Sequence, residues 1–137
     1  MADQGPKQQG LPAVLVVDDE PVQLEMIRRE LKDTCEVQTA TSAAEAENCV
    51  AARQFDIIVC DHMLPGEQGL DFLVRMMGKA PATQRIMMTG YTNAEFISRS
   101  TVIAGLSSCL VKPLGPEEIA GAVRAALGSL RAYEASP

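Results

Sequence analysis

The sequence predicts an α/β fold, a doubly wound five-stranded parallel sheet with helices on both faces, built as (βα)5. Two observations predict it. Short continuous apolar runs alternate with longer stretches of helical hydrophobic spacing, five times along the chain. Three of the five runs show little internal alternation, as expected of parallel strands covered on both faces.

Each element carries its own signal. The first strand is read at 13–17, AVLVV, and the helix after it opens at Pro21, whose missing amide hydrogen would have no partner in a first turn. Leu24, Ile27 and Leu31 form that helix's apolar stripe. The run CEVQT at 35–39 alternates and is read as an edge strand. Ser42 and Glu45 then make a capping box ahead of Ala46 and Val50. The third strand is read at 56–60, DIIVC, and the third helix from the stripe Leu70, Leu73 and Met77, closed by Gly78. RIMM at 85–88 is the fourth strand, followed by a second capping box, Thr92 and Glu95, ahead of Phe96 and Ile103. SCLV at 108–111 is the fifth, and Pro116 opens a last helix with the stripe Ile119, Val123, Leu127 and Leu130. Right-handed crossovers leave few arrangements for such a chain, and the expected one is the flavodoxin-like strand order 2-1-3-4-5.

A length of 137 residues suits a single core. Residues 1–10, MADQGPKQQG, read as a flexible N-terminal tail, 11–131 as the folded domain and 132–137 as a short C-terminal tail. No apolar run is long enough to span a bilayer and the start lacks the pattern of a signal peptide, so a cytoplasmic protein is expected. The four cysteines contain no C-x-x-C pair and read as reduced thiols, with Cys35, Cys60 and Cys109 in or beside apolar runs. A net charge of −6 with scattered basic residues argues against nucleic acid as a partner.

The chemistry lies where the strands end. Asp18 and Asp19 follow the first strand, Asp61 the third, Thr89 the fourth and Lys112 the fifth. In a doubly wound sheet these positions share one crevice at the carboxyl edge. Carboxylates about 4 Å apart repel by about 4 kcal/mol per pair at an effective dielectric near 20, so positive charge must compensate. Lys112 supplies part of it, and a hard divalent cation would supply the rest. Mg²⁺ suits one or two carboxylates plus water and phosphate oxygens. Because adjacent strand residues point to opposite faces, Asp18 and Asp19 are expected to ligate differently, one directly and one through water. Carboxylate, metal, hydroxyl and ammonium together are the parts of a phosphoryl-transfer site, with Asp61 as the nucleophile forming an aspartyl phosphate. Its loop, DHMLPGEQG, contains Pro65, Gly66 and Gly69, which allow a tight bend beside the metal.

In VLVVDDEP, DIIVCDHMLPGEQG, IMMTGYT and LVKPL, in that order, the chain resembles the receiver domain of bacterial two-component response regulators over residues 11 to 130. The resemblance implies that Asp61 is the phosphoacceptor and Asp19 a direct ligand of Mg²⁺, or of Mn²⁺ in its place. Asp18 would act mainly through water, with the backbone carbonyl of Met63 as the last protein ligand. Thr89 would be the switch hydroxyl and Lys112 the phosphate-binding lysine. Three positions bear on output and tuning. Where the family usually carries an aromatic side chain that swings inward on phosphorylation, this chain has Cys109, which points to coupling through Thr89 and its loop. Met63 and Tyr91 stand at the two positions that tune dephosphorylation in similar proteins.

The implied function is a phosphorylation-activated signalling switch. A histidine kinase or histidine phosphotransfer domain would donate the phosphoryl group, and a downstream effector protein would read the result by contact. Neither nucleic acid nor membrane is expected as a direct partner. Nor is the chain expected to be an enzyme beyond self-catalysed phosphotransfer and autodephosphorylation. So few residues follow the last helix that no effector is expected within the chain, which would be a stand-alone receiver or one domain of a longer protein. The alternatives are a phosphorylation-independent interaction module of the same fold and an aspartate-nucleophile phosphohydrolase. Loss of an acid or the lysine would favour the first, and a D-x-D pair after the first strand the second; the chain shows neither. His62, the only histidine, is read as having no role of its own, and Met76, Met77, Met87 and Met88 as core packing.

Overall fold

The computed structural model describes residues 10–135, and the parts of the expected tails at 1–9 and 136–137 lie outside the described residues. Five strands, β1 (Ala13–Val17), β2 (Glu36–Ala40), β3 (Ile57–Asp61), β4 (Gln84–Thr89) and β5 (Ser108–Val111), alternate with five helices. The helices are α1 (Pro21–Leu31), α2 (Ala43–Ala52), α3 (Gly69–Lys79), α4 (Ala94–Ala104) and α5 (Pro116–Ala135). All strand pairs are parallel, in the order β2-β1-β3-β4-β5. The predicted order and the edge position of the second strand both hold. Helix α5 extends to Ala135, into the stretch read as a C-terminal tail.

Alternation along each strand divides the core into two layers. Leu15, Val17, Ile58, Cys60 and Met87 pack with Ala46, Phe72, Leu73 and Met76 from α2 and α3. Val14, Val16, Ile57, Val59, Ile86 and Met88 pack with Leu24, Ile27 and Leu31 of α1 and Ile119 and Val123 of α5. Each central strand therefore buries both faces, which is why β1 and β3 read as unbroken apolar runs.

The structure corrects several local readings. β2 and β3 each lie one residue later than expected and β4 gains a residue at each end, because the ladder pairs Val17 with Ala40, Asp61 with Met88, Gln84 with Ile57 and Thr89 with Val111. In α3 the buried residues are Phe72, Leu73 and Met76, while Met77 lies on the exposed side, and the helix passes through Gly78 to Lys79. In α4 the cap is Asn93, whose side-chain oxygen accepts from the Phe96 amide, so Thr92 does not form the expected box. Ala126, not Leu127, is the buried residue one turn after Val123 in α5, and the Leu130 side chain lies outside the described set. The first capping box is half formed. Ser42 Oγ accepts from the Glu45 amide, but the Glu45 carboxylate turns to the Thr41 amide and hydroxyl.

One buried charge fixes a helix. Arg85 of β4 donates to the carbonyls of Thr83, Ala104 and Gly105, the last two at the C-terminal end of α4. These carbonyls have no intrahelical partners, and the guanidinium meets the negative end of the helix dipole. Burial lowers the Arg85 pKa, and the three carbonyls hold the charge in place of a carboxylate. The C-terminal end of α4 is thereby tied to the sheet.

Candidate functional site

Ladder geometry delivers each group to the carboxyl edge of the sheet. The Asp18 amide bonds to the Ala40 carbonyl, the His62 amide to Met88 and the Lys112 amide to Thr89, so each strand's pairing extends one residue into its loop. Asp18, Asp19, Asp61 and Lys112 come together at this edge, and Thr89 ends the neighbouring strand with its carbonyl bonded to the Lys112 amide. Asp18, Asp19 and Asp61 each place a carboxylate oxygen within 4.8 Å of the others. Asp18 and Thr89 are 0% exposed and Asp61 6%, whereas Asp19 is open to solvent.

Lys112 Nζ lies 3.1 Å from Asp61 Oδ1 and 3.8 Å from Asp18 Oδ2. Burial works against the ammonium, but the bond to Asp61 and the neighbouring carboxylates outweigh it, so its pKa is raised. Asp18 is the strained member of the group. Burial pushes its pKa from 3.8 up to about 6; the Glu20 amide, bonded to Oδ1 at 2.9 Å, offsets part of this, and the Asp61 charge adds to it. Its Oδ2 has no hydrogen-bond partner. A buried carboxylate oxygen without a donor, facing two further acids and a single ammonium, is suited to a hard cation or its bound water.

The loop after Asp61 is held by backbone and by charge. The Gly69 amide donates to the His62 carbonyl at 2.7 Å, and Met63 and Gln68 form an antiparallel bridge across the loop. Gly66 takes the turn at φ +85°. A Cβ on Gly69 would lie 1.9 Å from the Asp61 carbonyl oxygen, so only glycine allows the start of α3 to pass so close to Asp61. Arg75 of α3 reaches back to Glu67 in the loop and, at 2.8 Å, to Glu47 on α2.

Met63 and Tyr91, the positions expected to tune dephosphorylation, are both exposed. Cys109 is half-buried on β5 opposite Met87, packed against the layer shared with α3 and α4, and burial raises its thiol pKa. Sequence reasoning missed His62. The ring is 1% exposed, and its Nδ1 lies 3.1 Å from Thr89 Oγ1. Its centroid is 4.8 Å from that of Tyr91 and 4.9 Å from that of Phe96. A lone histidine next to an acid carries no pattern, and only the pairing of β3 with β4 brings it against Thr89.

The model of the response regulator receiver domain matches residues 14–124. The chain belongs to that family. It is 35% identical over 114 residues to the hydrogenase transcriptional regulatory protein HoxA of Cupriavidus necator, a match covering 83% of this chain and 24% of that protein. It is 33% identical over 117 residues to the probable transcriptional regulatory protein TcrX of Mycobacterium tuberculosis, covering 83% and 49%. The chain thus spans about a quarter of HoxA and half of TcrX. Among solved structures it is similar to a CheY-like response regulator receiver domain protein from Methanospirillum hungatei, with a TM-score of 0.84, 26% identity and coverage of 90% of this chain and 99% of that one. It is also similar to the chemotaxis response regulator CheY4 of Vibrio cholerae, with a TM-score of 0.77, 30% identity and coverage of 85% and 98%. No described helix of this receiver is long and apolar enough to cross a membrane.

Proposed function

We propose that this receiver is a phosphorylation switch in which Asp61 accepts a phosphoryl group from a histidine kinase or histidine phosphotransfer domain. The observation that carries the reading is the Lys112 ammonium 3.1 Å from Asp61 Oδ1, beside a buried Asp18 whose second oxygen accepts no hydrogen bond. An Asp61 oxygen bonds to phosphorus as the phosphorus–nitrogen bond of the donor imidazole breaks, the electron pair leaving with the nitrogen. Lys112 then faces the phosphoryl oxygens, and Thr89 donates its hydroxyl hydrogen to one of them. Asp19 and Asp61, with the Met63 backbone carbonyl, are the groups that would hold Mg²⁺ or Mn²⁺, Asp18 contributing mainly through water. The cation supplies charge neutralisation to the transferring group.

Output is by contact with a downstream effector, in the same chain or another, in the cytoplasm. Relatives such as HoxA and TcrX are named as transcriptional regulators, so an effector acting on transcription suits the family. The added charge, about −1.5 to −2, is sensed at Thr89 and passed to the start of α4. Against a phosphorylation-independent module stands the grouping of the three acids with the lysine. Incubation with a small phosphodonor and Mg²⁺ tests the reading by intact mass. A gain of one phosphate that chelation prevents supports it, and no gain under conditions that label other receivers refutes it.

A further inference from the structure

His62 stands between the proposed switch hydroxyl and the start of α4, where no pattern in the sequence assigns it a task. Thr89 Oγ1 has two polar neighbours among the described residues, the Tyr91 amide at 3.0 Å and His62 Nδ1 at 3.1 Å. The amide can only donate. The buried hydroxyl hydrogen therefore has His62 Nδ1 as its acceptor, which assigns the neutral tautomer with hydrogen on Nε2. The opposite tautomer would leave the Thr89 hydrogen unpaired as well as Nε2, which has no partner in either case.

Thr89 has one hydrogen to give. We infer that His62 is the positioning residue of the switch, holding the Thr89 hydroxyl hydrogen in the resting state and moving the start of α4 when that hydrogen passes to a phosphoryl oxygen. The inference rests on the proposed phosphoacceptor role of Asp61. Once the hydrogen is withdrawn, the resting tautomer of a side chain 1% exposed has no partner at either ring nitrogen, and the ring turns, or takes its hydrogen to Nδ1, to regain one. It cannot turn alone. Tyr91 meets it edge-on at 88°, Phe96 lies tilted against it, and the two aromatic rings are 5.2 Å apart. Phe96 belongs to the first turn of α4, whose other end is tied to β4 by Arg85. The free end of the helix therefore answers the ring while the clamped end acts as its pivot.

His62 is the only histidine in the sequence, so nitrogen NMR of tag-free protein reads it without assignment ambiguity. In the resting protein Nδ1 should resonate as an unprotonated nitrogen accepting a hydrogen bond. Beryllofluoride with Mg²⁺ should shift that resonance, and Thr89→Val should produce a shift in the same direction without beryllofluoride. His62→Phe keeps the ring packing and releases the hydroxyl; it should bind beryllofluoride about fivefold more tightly, the equivalent of one ordinary hydrogen bond, while the amides from Tyr91 to Phe96 respond less. His62→Asn, whose side-chain oxygen can stand where Nδ1 stood, should restore the weaker binding. Binding detected by fluorine NMR with no change at Nδ1, or an undiminished response of Tyr91–Phe96 in His62→Phe, overturns the inference and leaves the Asp61 reading standing. Absence of beryllofluoride binding in the wild type overturns both.

Discussion

In the metal-free protein Asp18 should be a liability, and Asp18→Asn should make it more stable. The carboxylate is fully buried, its Oδ2 accepts no hydrogen bond and has only the Lys112 ammonium at 3.8 Å, and its pKa is raised from 3.8 to about 6. A native pKa above the unfolded one means that the folded state holds the proton more tightly. The associated stability is full below 3.8 and is lost as pH rises through about 6. A shift of about two units is worth roughly 3 kcal/mol at pH 7. Asparagine keeps the oxygen that accepts from the Glu20 amide and sheds the charge. The variant should therefore gain about 2 to 3 kcal/mol at pH 7 in chelator, or about 7 to 10 °C in midpoint for a domain of this size. Urea unfolding followed by circular dichroism is the assay, because the chain has no tryptophan. The advantage of Asp18→Asn should be small near pH 4, grow to about pH 6.5 and level off above it. A loss of stability at pH 7, or a gain independent of pH, would refute the reasoning, since either means that burial does not outweigh the Lys112 charge 3.8 Å from Asp18 Oδ2.

Millimolar Mg²⁺ should raise the thermal midpoint of the wild type, because a ligand bound only by the native state stabilises it by mass action; Asp19→Ala should lose most of the gain, as scanning calorimetry with and without chelator would show. Gly69→Ala should cost about 1 to 3 kcal/mol and slow phosphodonor labelling, because its Cβ would sit 1.9 Å from the Asp61 carbonyl oxygen. Gly66→Ala is the control. It has open space at φ +85° and should cost only about 1 to 2 kcal/mol, leaving labelling near normal.

The fold and most of the site could be read from the sequence because both rest on local pattern. Buried central strands must be apolar on both faces, and in a parallel sheet the residue after each strand emerges at one edge, so Asp18, Asp61, Thr89 and Lys112 could be placed together without coordinates. Helix faces were less legible. Met76 and Met77 are chemically identical neighbours, and only the packing of α3 against the sheet decides that Met76 goes inside. Thr92 and Asn93 both cap helices, and an asparagine one residue on proved the better fit to the Phe96 amide. Nothing in the run RIMM marks Arg85 as buried; its burial depends on three carbonyls from the preceding loop and the end of α4 that converge on it. His62 was hidden for the same reason, since its partners Thr89, Tyr91 and Phe96 lie on the next strand, loop and helix.

Everything proposed for this receiver depends on Asp61 as the group that receives phosphate. Labelling with a small phosphodonor and Mg²⁺, followed by borohydride reduction of the acyl phosphate and peptide mass spectrometry, locates the acceptor directly. The expected result is a single reduced position, Asp61, and no labelling of Asp61→Asn. Reduction at Asp18 or Asp19 in the wild type, or equal labelling of wild type and Asp61→Asn, would contradict it.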